Sequence, residues 1–259
     1  MNNRLLEVLK QSLEAQGITG LPRDWFAHQQ VQEQFVTGET SAMNQNNMEQ
    51  VGKSTGASAQ LVSSDLRYGQ TLSELNTEAQ QCTRCRLCET RNKVVFGVGN
   101  TKSPKICFVG EGPGADEDQQ GEPFVGRAGR LLTAAITKGI GIAREEVYIC
   151  NVVKCRPPEN RAPLPDEVEA CRPFLERQIA LIKPEVIITL GSPAFVTLTG
   201  NKTGITKVRG TWLEWQGIPL MPTFHPAYLL RNPPAKKPFW EDLKTVMLRL
   251  GIPINAQSI

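Results

Sequence analysis

Residues 105–126, KICFVGEGPGADEDQQGEPFVG, place glycines and carboxylates directly after a short apolar segment. The apolar residues 106–109 are too few for a helix and rich in strand formers, so Gly110 should lie at the carboxyl end of a strand. Ligands of open α/β sheets bind at that end. The following Glu111-Gly112-Pro113-Gly114 segment lets the backbone approach a ligand closely, and three acidic residues, 116–118, come next. This pattern predicts a reaction pocket.

Two other interpretations of the same stretch compete with a reaction pocket. Residues 110–115 match the G-x-G-x-x-A fingerprint of dinucleotide-binding sites, which must open a helix whose N-terminus receives a pyrophosphate. Here three carboxylates follow, which is unfavourable for a phosphate, and no helical periodicity begins before about Arg127. A plain surface loop would share the glycine-rich composition. The further motifs of the chain weigh against the surface loop.

Four of the seven cysteines have the surroundings of metal ligands. Cys82 and Cys85 form a C-x2-C pair, and this spacing lets two thiolates of one turn face a single metal centre. Cys155 lies in a loop after a predicted strand, and Cys171 lies on the helix that follows this loop. Four thiolates suit either a structural zinc ion or a 4Fe-4S cluster, and the spacing alone does not choose between them.

The other three cysteines are weaker ligand candidates. Cys107 and Cys150 fall inside predicted strands, where a buried thiol behaves as a small apolar side chain. Cys88 extends the C-x2-C pair to C-x2-C-x2-C and could be an alternate ligand. An odd cysteine count, behind an N-terminus without the apolar core of a signal peptide, favours thiols and metal ligation over disulfides. We therefore expect a cytoplasmic protein.

A sheet covered by helices on both faces is predicted to position these residues. Strands and helices alternate from residue 105 onward, which implies right-handed crossovers and parallel strands. We predict an α/β fold of three layers, α/β/α, with a central, mainly parallel four-stranded sheet. The predicted strands cover 105–110, 146–153 and 185–190, a hairpin joins 212–215 to 218–224, and helices begin at about Leu72 and at Ser192 and cover 127–139, 166–182 and 238–250.

Length, composition and charge leave a nucleic-acid partner open and exclude a membrane protein. The 259 residues are 40% hydrophobic, enough for one domain with a real core plus extensions. The net charge of +3 is mildly basic, which permits a nucleic-acid partner without requiring one. No apolar run approaches the ~20 residues of a membrane span. We expect a monomer that does not contact a membrane.

The chain divides into three parts. Residues 1–20 contain an amphipathic helix over 4–18, with leucines at helical spacing, which could dock a protein partner or be a frayed terminal helix. Residues 21–70 are rich in Gln, Ser and Asn with few apolar side chains, and predict a flexible tether. The folded domain is predicted over residues 71–253.

Six separated motifs, taken together, closely resemble the family-4 uracil-DNA glycosylases, the iron-sulfur branch of that superfamily. The motifs are CTRC from residue 82, GEGPGADED from 110, GEPFVGRAG from 121, NVVKCRPPENRAP from 151, ITKVRG from 205 and HPAYLLRNP from 225. They extend over about residues 80–250. The resemblance implies that residues 71–253 form a uracil-DNA glycosylase domain, with a 4Fe-4S cluster on Cys82, Cys85, Cys155 and Cys171.

The resemblance also implies roles for single pocket residues. The base would lie against backbone groups of Glu111, Gly112 and Pro113. Phe124 would stack on the uracil, Asn151 would pair with its Watson-Crick edge, and His225 would reach its O2. Two positions depart from the family or superfamily pattern: Ala227 stands where many relatives have serine after His-Pro, and Gly-Glu-Gly-Pro replaces the aspartate that other uracil-DNA glycosylases carry in the first motif.

The chemistry of base excision agrees with these roles. A base inside a duplex is inaccessible to hydrolysis, so the nucleotide must be extruded at a cost of a few kcal/mol. The face of Phe124 can stack on the base, while the donor and acceptor of the Asn151 amide suit uracil's O4 and N3-H and mismatch cytosine. Cleavage leaves negative charge on uracil and positive charge on the sugar. Donors such as His225 would stabilise the first charge, and Glu117 or Asp118 the second.

Two further groups of residues are predicted to contact DNA. Leu229 and Leu230 lie in a proline-bounded loop after His225, where an apolar wedge could hold the gap left by an extruded nucleotide, with Arg231 at a flanking phosphate. Alternatively, both leucines pack beneath the loop. Basic residues near the same loop ends would form a phosphate-contacting face: Arg127, Arg130, Lys154, Arg156, Arg161, Lys207, Arg209 and Arg231.

Three functions remain in competition. The leading hypothesis is a monofunctional uracil-DNA glycosylase, a base excision repair hydrolase that releases uracil from single- or double-stranded DNA and leaves an abasic site. The second is a non-catalytic DNA-binding module of the same fold, tethered to a replication partner by the N-terminal helix. The third is a covalent uracil-trapping relative, but those proteins carry a histidine-bearing basic insertion where this chain has GEPFVGRAG, without histidine.

Overall fold

A computed structural model describes residues 69–254. The predicted helix at 4–18 lies outside the described residues, and so does the predicted tether at 21–70 except for its last two residues. In the described part of the chain, no helix is both long and apolar enough to cross a membrane.

A six-stranded mixed sheet forms the centre of the fold, in the order β1-β3-β2-β4-β6-β5. The four inner strands are parallel, whereas β1 and β5 are antiparallel at the two edges. The strands are β1 (Val98–Gly99), β2 (Ile106–Gly110), β3 (Tyr148–Asn151), β4 (Val186–Leu190), β5 (Leu213–Trp215) and β6 (Ile218–Thr223).

The predicted four-stranded sheet was therefore wrong in its count. The four parallel strands are the inner ones, and each edge adds one more. β1 has only two residues, which is too short for a hydrophobic pattern to reveal it. β5 belongs to the predicted hairpin, and because it pairs with β6 it necessarily extends the sheet.

Eight α-helices surround the sheet in the described residues. Their bounds are α1 (Leu72–Gln80), α2 (Ala115–Gln120), α3 (Arg127–Ala134), α4 (Pro165–Ile182), α5 (Ser192–Thr199), α6 (Ile205–Val208), α7 (Pro226–Arg231) and α8 (Lys236–Arg249). A π-helical turn, Ala135–Ile140, continues α3. Short 3-10 turns lie at Arg86–Glu89, Arg144–Glu146, Pro158–Asn160 and Pro233–Ala235.

Two hydrophobic cores, one on each face of the sheet, confirm the three-layer arrangement. Successive strand residues point to opposite faces, so Cys107 and Val109 join one core while Ile106 and Phe108 join the other. The first core packs under α1, α4 and α5, and the second under α3, α7 and α8. Strand residues buried on both faces are the expected pattern for parallel strands between two helix layers.

The strand register brings the predicted pocket residues to one edge of the sheet. Gly110 at the end of β2 pairs with Asn151 at the end of β3. On the other side, β6 ends at Thr223, paired with Leu190, and the chain reaches His225 two residues later. The carboxyl ends of three parallel strands therefore bring the glycine, asparagine and histidine motifs together.

Candidate active site

A cavity of about 410 Å³ opens at these strand ends. Most of the predicted pocket residues line it: Glu111, Gly112, Pro113, Glu117, Phe124, Asn151, His225 and Arg231. The other lining residues are Gly114 of the same glycine-rich segment, Arg161, which was predicted to contact phosphate, and five that were not predicted to lie here: Ala128, Pro157, Asn160, Pro163 and Ala227. Four of these other lining residues belong to the proline-rich loop after Cys155, whose composition marked a loop but not its contact with the pocket.

Asn151 lines the cavity and lies beside Gly110 at the strand ends. The residue is only 2% exposed, and its side-chain Oδ1 is buried without a hydrogen-bond partner among the described residues. A Cβ atom at Gly110 would lie 2.4 Å from this oxygen, so only glycine leaves room for it. A buried acceptor without a partner costs about 1–3 kcal/mol. A ligand that offers an N-H group there would remove this penalty.

Phe124 forms one wall of the cavity in a strained backbone conformation. Its φ of 55° is in the left-handed region, which costs a bulky residue about 1–3 kcal/mol. Arg144 stabilises the turn, since its Nη2 donates to the carbonyl oxygens of Pro123 (2.7 Å) and Phe124 (3.3 Å). Gly129 is also required, because a Cβ there would lie 1.9 Å from the Phe124 carbonyl. Strained residues often occur at functional sites, so this conformation marks the Phe124 ring as a candidate functional group of the cavity.

His225 lies beside Phe124 in the cavity lining, with 5.6 Å between the ring centroids. It caps the N-terminus of α7, where its Nδ1 accepts a hydrogen bond of 3.1 Å from the amide of Ala227. Burial, and secondarily the charge of Arg231, lower the pKa of His225 to about 4. The imidazole is therefore neutral near pH 7 with its proton on Nε2, which makes Nε2 a hydrogen-bond donor.

The two predicted catalytic carboxylates occupy different environments. Glu117 lines the cavity and accepts hydrogen bonds from the amides of Gly114 (3.0 Å), Val125 (3.0 Å) and Gly126 (2.9 Å). It thus ties the glycine-rich loop to the Phe124 turn. Asp118 is fully buried away from the cavity and accepts from the backbone and side chain of Asn92. Asp118 therefore stabilises the fold, and its buried position does not fit the predicted catalytic role.

Residues 115–120 form α2, contrary to the expectation that no helix begins before Arg127. The G-x-G-x-x-A segment thus does open a helix, though one of only six residues. The backbone amide of Gly114, at the N-terminus of this helix, already donates to the carboxylate of Glu117. An internal carboxylate therefore occupies the position where a dinucleotide would place its pyrophosphate.

Glu111 lines the cavity, and its backbone is hydrogen-bonded to the segment that follows β3. Burial raises the pKa of its carboxyl group. Its carbonyl accepts a hydrogen bond of 3.1 Å from the amide of Val153. At Gly112, a Cβ atom would lie 2.7 Å from Cγ2 of Val153, so the loop packs tightly on the residues that follow β3. These contacts hold the backbone of Glu111 and Gly112, which line the cavity, against Val153.

The predicted wedge loop is in fact α7, and its two leucines differ. Leu229 is 1% exposed and packs in the second core, so its predicted role as a wedge was wrong. Leu230 is 37% exposed and Tyr228 is 39% exposed. Arg231 is exposed and lines the cavity. Leu230 and Arg231 therefore keep the exposure that DNA contacts require.

The predicted phosphate-contacting face also needs correction. Lys154 is 2% exposed, which excludes a contact with a phosphate outside the protein. Arg161 forms a two-pronged ion pair with buried Glu167. Arg209 is likewise paired with the buried carboxylate of Asp242. The exposed members of the predicted set are Arg127, Arg130, Lys207 and Arg231.

A second cavity is lined by the four predicted metal ligands, Cys82, Cys85, Cys155 and Cys171, and also by Cys88. Two donors serve the sulfurs: Arg91 Nη1 donates to Cys155 Sγ and the backbone amide of Lys154 donates to Cys171 Sγ, each at 3.3 Å. In the described residues, no three ligand side chains converge on a point suited to a single metal ion.

Comparisons with known proteins agree with this arrangement. The family described as the uracil DNA glycosylase superfamily matches residues 96–244. A type-4 uracil-DNA glycosylase of Thermotoga maritima is 53% identical over 160 residues, covering 61% of this chain and 82% of that protein. Those of Saccharolobus solfataricus and Archaeoglobus fulgidus are 46% and 43% identical, over 65% and 68% of this chain and 82% and 92% of the relatives. The chain therefore belongs to the uracil DNA glycosylase superfamily, among its type-4 members.

Proposed function

We propose that this protein hydrolyses the N-glycosidic bond of deoxyuridine in DNA, with the cavity at the strand ends as its active site. The reaction releases uracil, leaves an abasic site and so begins base excision repair. Membership of the type-4 family supports the activity. The geometry of the cavity supports the assignment of individual residues to its steps.

The unpaired Oδ1 of Asn151 is the observation that carries the assignment. Uracil offers an N3-H donor beside its O4 acceptor, and a carboxamide supplies the matching acceptor and donor together. Cytosine has an acceptor at N3, so the same amide oxygen would face a lone pair and repel it. The Phe124 ring lies close enough to Gly110 to place a flat wall beside that oxygen, because a Cβ at Gly110 would be 2.6 Å from Phe124 Cζ. A flat base can stack there while it pairs with Asn151.

His225 is proposed to stabilise the departing uracil anion. When the glycosidic bond breaks, negative charge develops on the base and is shared with O2. The neutral imidazole has its Nδ1 occupied by the Ala227 amide, so Nε2-H is the donor available to O2. A preorganised donor of this kind typically contributes about 10²–10³-fold to the rate.

Glu117 is proposed to face the positive charge that develops on the sugar. Its carboxylate lies in the cavity lining, and three backbone N-H groups fix its orientation. A carboxylate held there can stabilise an oxocarbenium-like sugar and orient a water molecule for attack. Asp118 is not included, because its side chain is buried and already bonded to Asn92.

The cysteine cavity is proposed to hold a 4Fe-4S cluster. The donor set fits this group, because such clusters are held by four cysteine thiolates and the four cysteines line one cavity. Cys82, Cys85, Cys155 and Cys171 would be the ligands, and N-H donors to Cys155 and Cys171 are in place. They join the start of the domain, the loop after β3 and α4. The cluster would cross-link these segments. The catalytic steps would be carried out by the protein's own side chains.

DNA is proposed to lie across the mouth of the cavity, with Leu230 entering the base stack and Arg231 near a flanking phosphate. Both residues are exposed on α7 directly after His225. Single-stranded and double-stranded DNA would both be substrates, since only the duplex requires a stack to be opened.

Incubation of the full-length protein with an oligonucleotide that contains one uracil tests the activity. Alkali then cleaves any abasic site, and we expect one product band at the position of the uracil. Intact oligonucleotide at stoichiometric enzyme would instead favour a non-catalytic DNA-binding module. A product that stays covalently attached to the protein would indicate a uracil-trapping protein.

A further inference from the structure

Lys154 is a buried lysine placed between the cysteine cavity and the proposed active site. Its side chain is 2% exposed, yet it carries an ammonium group that is costly to remove from water. The sequence pattern placed it on a DNA-contacting surface, and this burial excludes that role. A buried charge persists in a fold when it has specific partners, so the contacts of Lys154 indicate what it does.

The ammonium group holds the main chain of the base-recognising asparagine. Lys154 Nζ donates a hydrogen bond of 2.7 Å to the backbone carbonyl of Asn151. The face of the Phe96 ring lies 6.0 Å from the same nitrogen. No carboxylate within residues 69–254 forms an ion pair with Lys154, so the Asn151 carbonyl is its principal polar partner there.

The same residue also reaches the cysteine cavity. Lys154 lines that cavity, and its backbone amide donates to Cys171 Sγ at 3.3 Å. One residue therefore touches both the strand end that carries Asn151 and a proposed ligand on α4.

We propose that Lys154 is a positioning residue for uracil recognition, which fixes the backbone of Asn151 and ties it to the cysteine cavity. The unpaired Oδ1 of Asn151 lies in a space so confined that a Cβ at Gly110 would come within 2.4 Å of it. A small displacement of the Asn151 backbone would therefore move the amide out of register with the base. Lys154 does not touch the substrate, and its effect passes through Asn151. This inference rests on the proposed function.

The test compares Lys154→Met with wild-type protein and with Lys138→Met, which removes an exposed lysine outside the site. Single-turnover excision from a uracil oligonucleotide is measured together with affinity for DNA that carries a non-hydrolysable deoxyuridine analogue or the matching deoxycytidine analogue. We expect Lys154→Met to lower the excision rate about 10- to 100-fold, the usual range for a supporting partner. It should also reduce the preference for the deoxyuridine analogue over the deoxycytidine analogue, because only uracil offers N3-H to Asn151 Oδ1. Lys138→Met should match the wild type in both measurements.

A double-mutant cycle with Asn151→Ala distinguishes a role of Lys154 in positioning Asn151 from a general loss of structure. If Lys154 acts through Asn151, Lys154→Met should change neither rate nor preference further once Asn151 is alanine. Additive losses, or wild-type preference in Lys154→Met, would overturn the proposal. If Lys154→Met does not fold, Lys154→Arg is tested in its place, because arginine keeps the positive charge but places its N-H donors differently. The same rate and preference measurements then support or overturn the proposal. Wild-type protein that excises no uracil would overturn the proposed function itself, which is a distinguishable result.

Discussion

The backbone amide of Ala227 donates a hydrogen bond of 3.1 Å to Nδ1 of His225. This bond assigns the imidazole proton to Nε2, the nitrogen proposed to face uracil O2. The chain has only one other histidine, His28, so His28→Gln leaves a single imidazole to observe. In ¹⁵N NMR spectra at pH 6, we predict the neutral Nε2-H tautomer for His225. A titration midpoint near 6.5 would show that the imidazole is not held in this way.

Stability should also depend on the protonation of His225. Its pKa is lowered to about 4 in the folded protein, against about 6.5 in the unfolded chain, so the unfolded state binds more protons between these values. The contribution of His225 to stability is therefore present above pH 6.5 and is lost as the pH falls towards 4. Urea unfolding of wild-type and His225→Gln protein from pH 7 to pH 4.5 measures this. The free-energy difference between them should shrink at low pH, and a constant difference would contradict the prediction.

The two neighbouring leucines of α7 should behave differently. Leu230→Ala should lower excision from a U:A pair more than from single-stranded DNA, because only the duplex has a stack to open. Leu229 lies in the core, so Leu229→Ala should instead lower the free energy of unfolding by about 2–5 kcal/mol. Excision rates on both substrates and urea unfolding of both variants check this. Equal losses for Leu230→Ala on both substrates would place the wedge elsewhere.

Two glycines should be required for the shape of the pocket. A Cβ at Gly129 would lie 1.9 Å from the Phe124 carbonyl, so Gly129→Ala should destabilise the fold by at least about 1–3 kcal/mol. Gly110→Ala should mainly abolish excision, because its Cβ would enter the space of Asn151 Oδ1 and the Phe124 ring. Gly204→Ala is the matched control, since that glycine has φ −59° and an added Cβ would meet nothing within 4 Å in the described part of the chain. Wild-type excision in Gly110→Ala would refute the assigned position of the base.

The four proposed ligands should be distinguishable from Cys88. Cys155→Ser should remove bound iron and visible absorption and lower the yield of folded protein, since metal binding in such a site is also folding free energy. Cys88→Ser should keep both, although Cys88 lines the same cavity. Iron and sulfide analysis after anaerobic purification measures the outcome. Stoichiometric zinc in a colourless wild-type protein would overturn the cluster assignment.

The strand ends could be predicted from the sequence, whereas the direction of neighbouring side chains could not. Alternating elements placed Gly110 and Asn151 at one edge of the sheet, and the register pairs them directly. The two segments expected to be loops are short helices, in which adjacent residues point about 100° apart. That rotation sends Glu117 to the cavity and Asp118 to the interior. The same rotation buries Leu229 and exposes Leu230.

Contacts between distant segments account for the other differences. The left-handed turn at Phe124 depends on Arg144, which lies 20 residues further along the chain and carries no pattern that announces the contact. Lys154 looks like a surface charge in the sequence because lysine is rarely buried. Its neighbours are distant in sequence: the Phe96 ring, the cysteines of residues 82–88, and Cys171 and Phe174 of α4. Patterns in the sequence report on local structure and cannot reveal such long-range partners.

Single-turnover excision by wild-type and Asn151→Ala protein, on matched oligonucleotides with one uracil or one cytosine, tests the central claim most directly. Uracil should be released by the wild type and cytosine should not, because Asn151 Oδ1 can accept from N3-H of uracil only. Asn151→Ala should lower the rate on uracil by about 10²–10³-fold, comparable to the loss of one preorganised hydrogen-bonding group. Its unfolding free energy should not fall, since the lost oxygen has no partner within residues 69–254. An Asn151→Ala protein that removes uracil at the wild-type rate would contradict the assignment of this cavity as the uracil site.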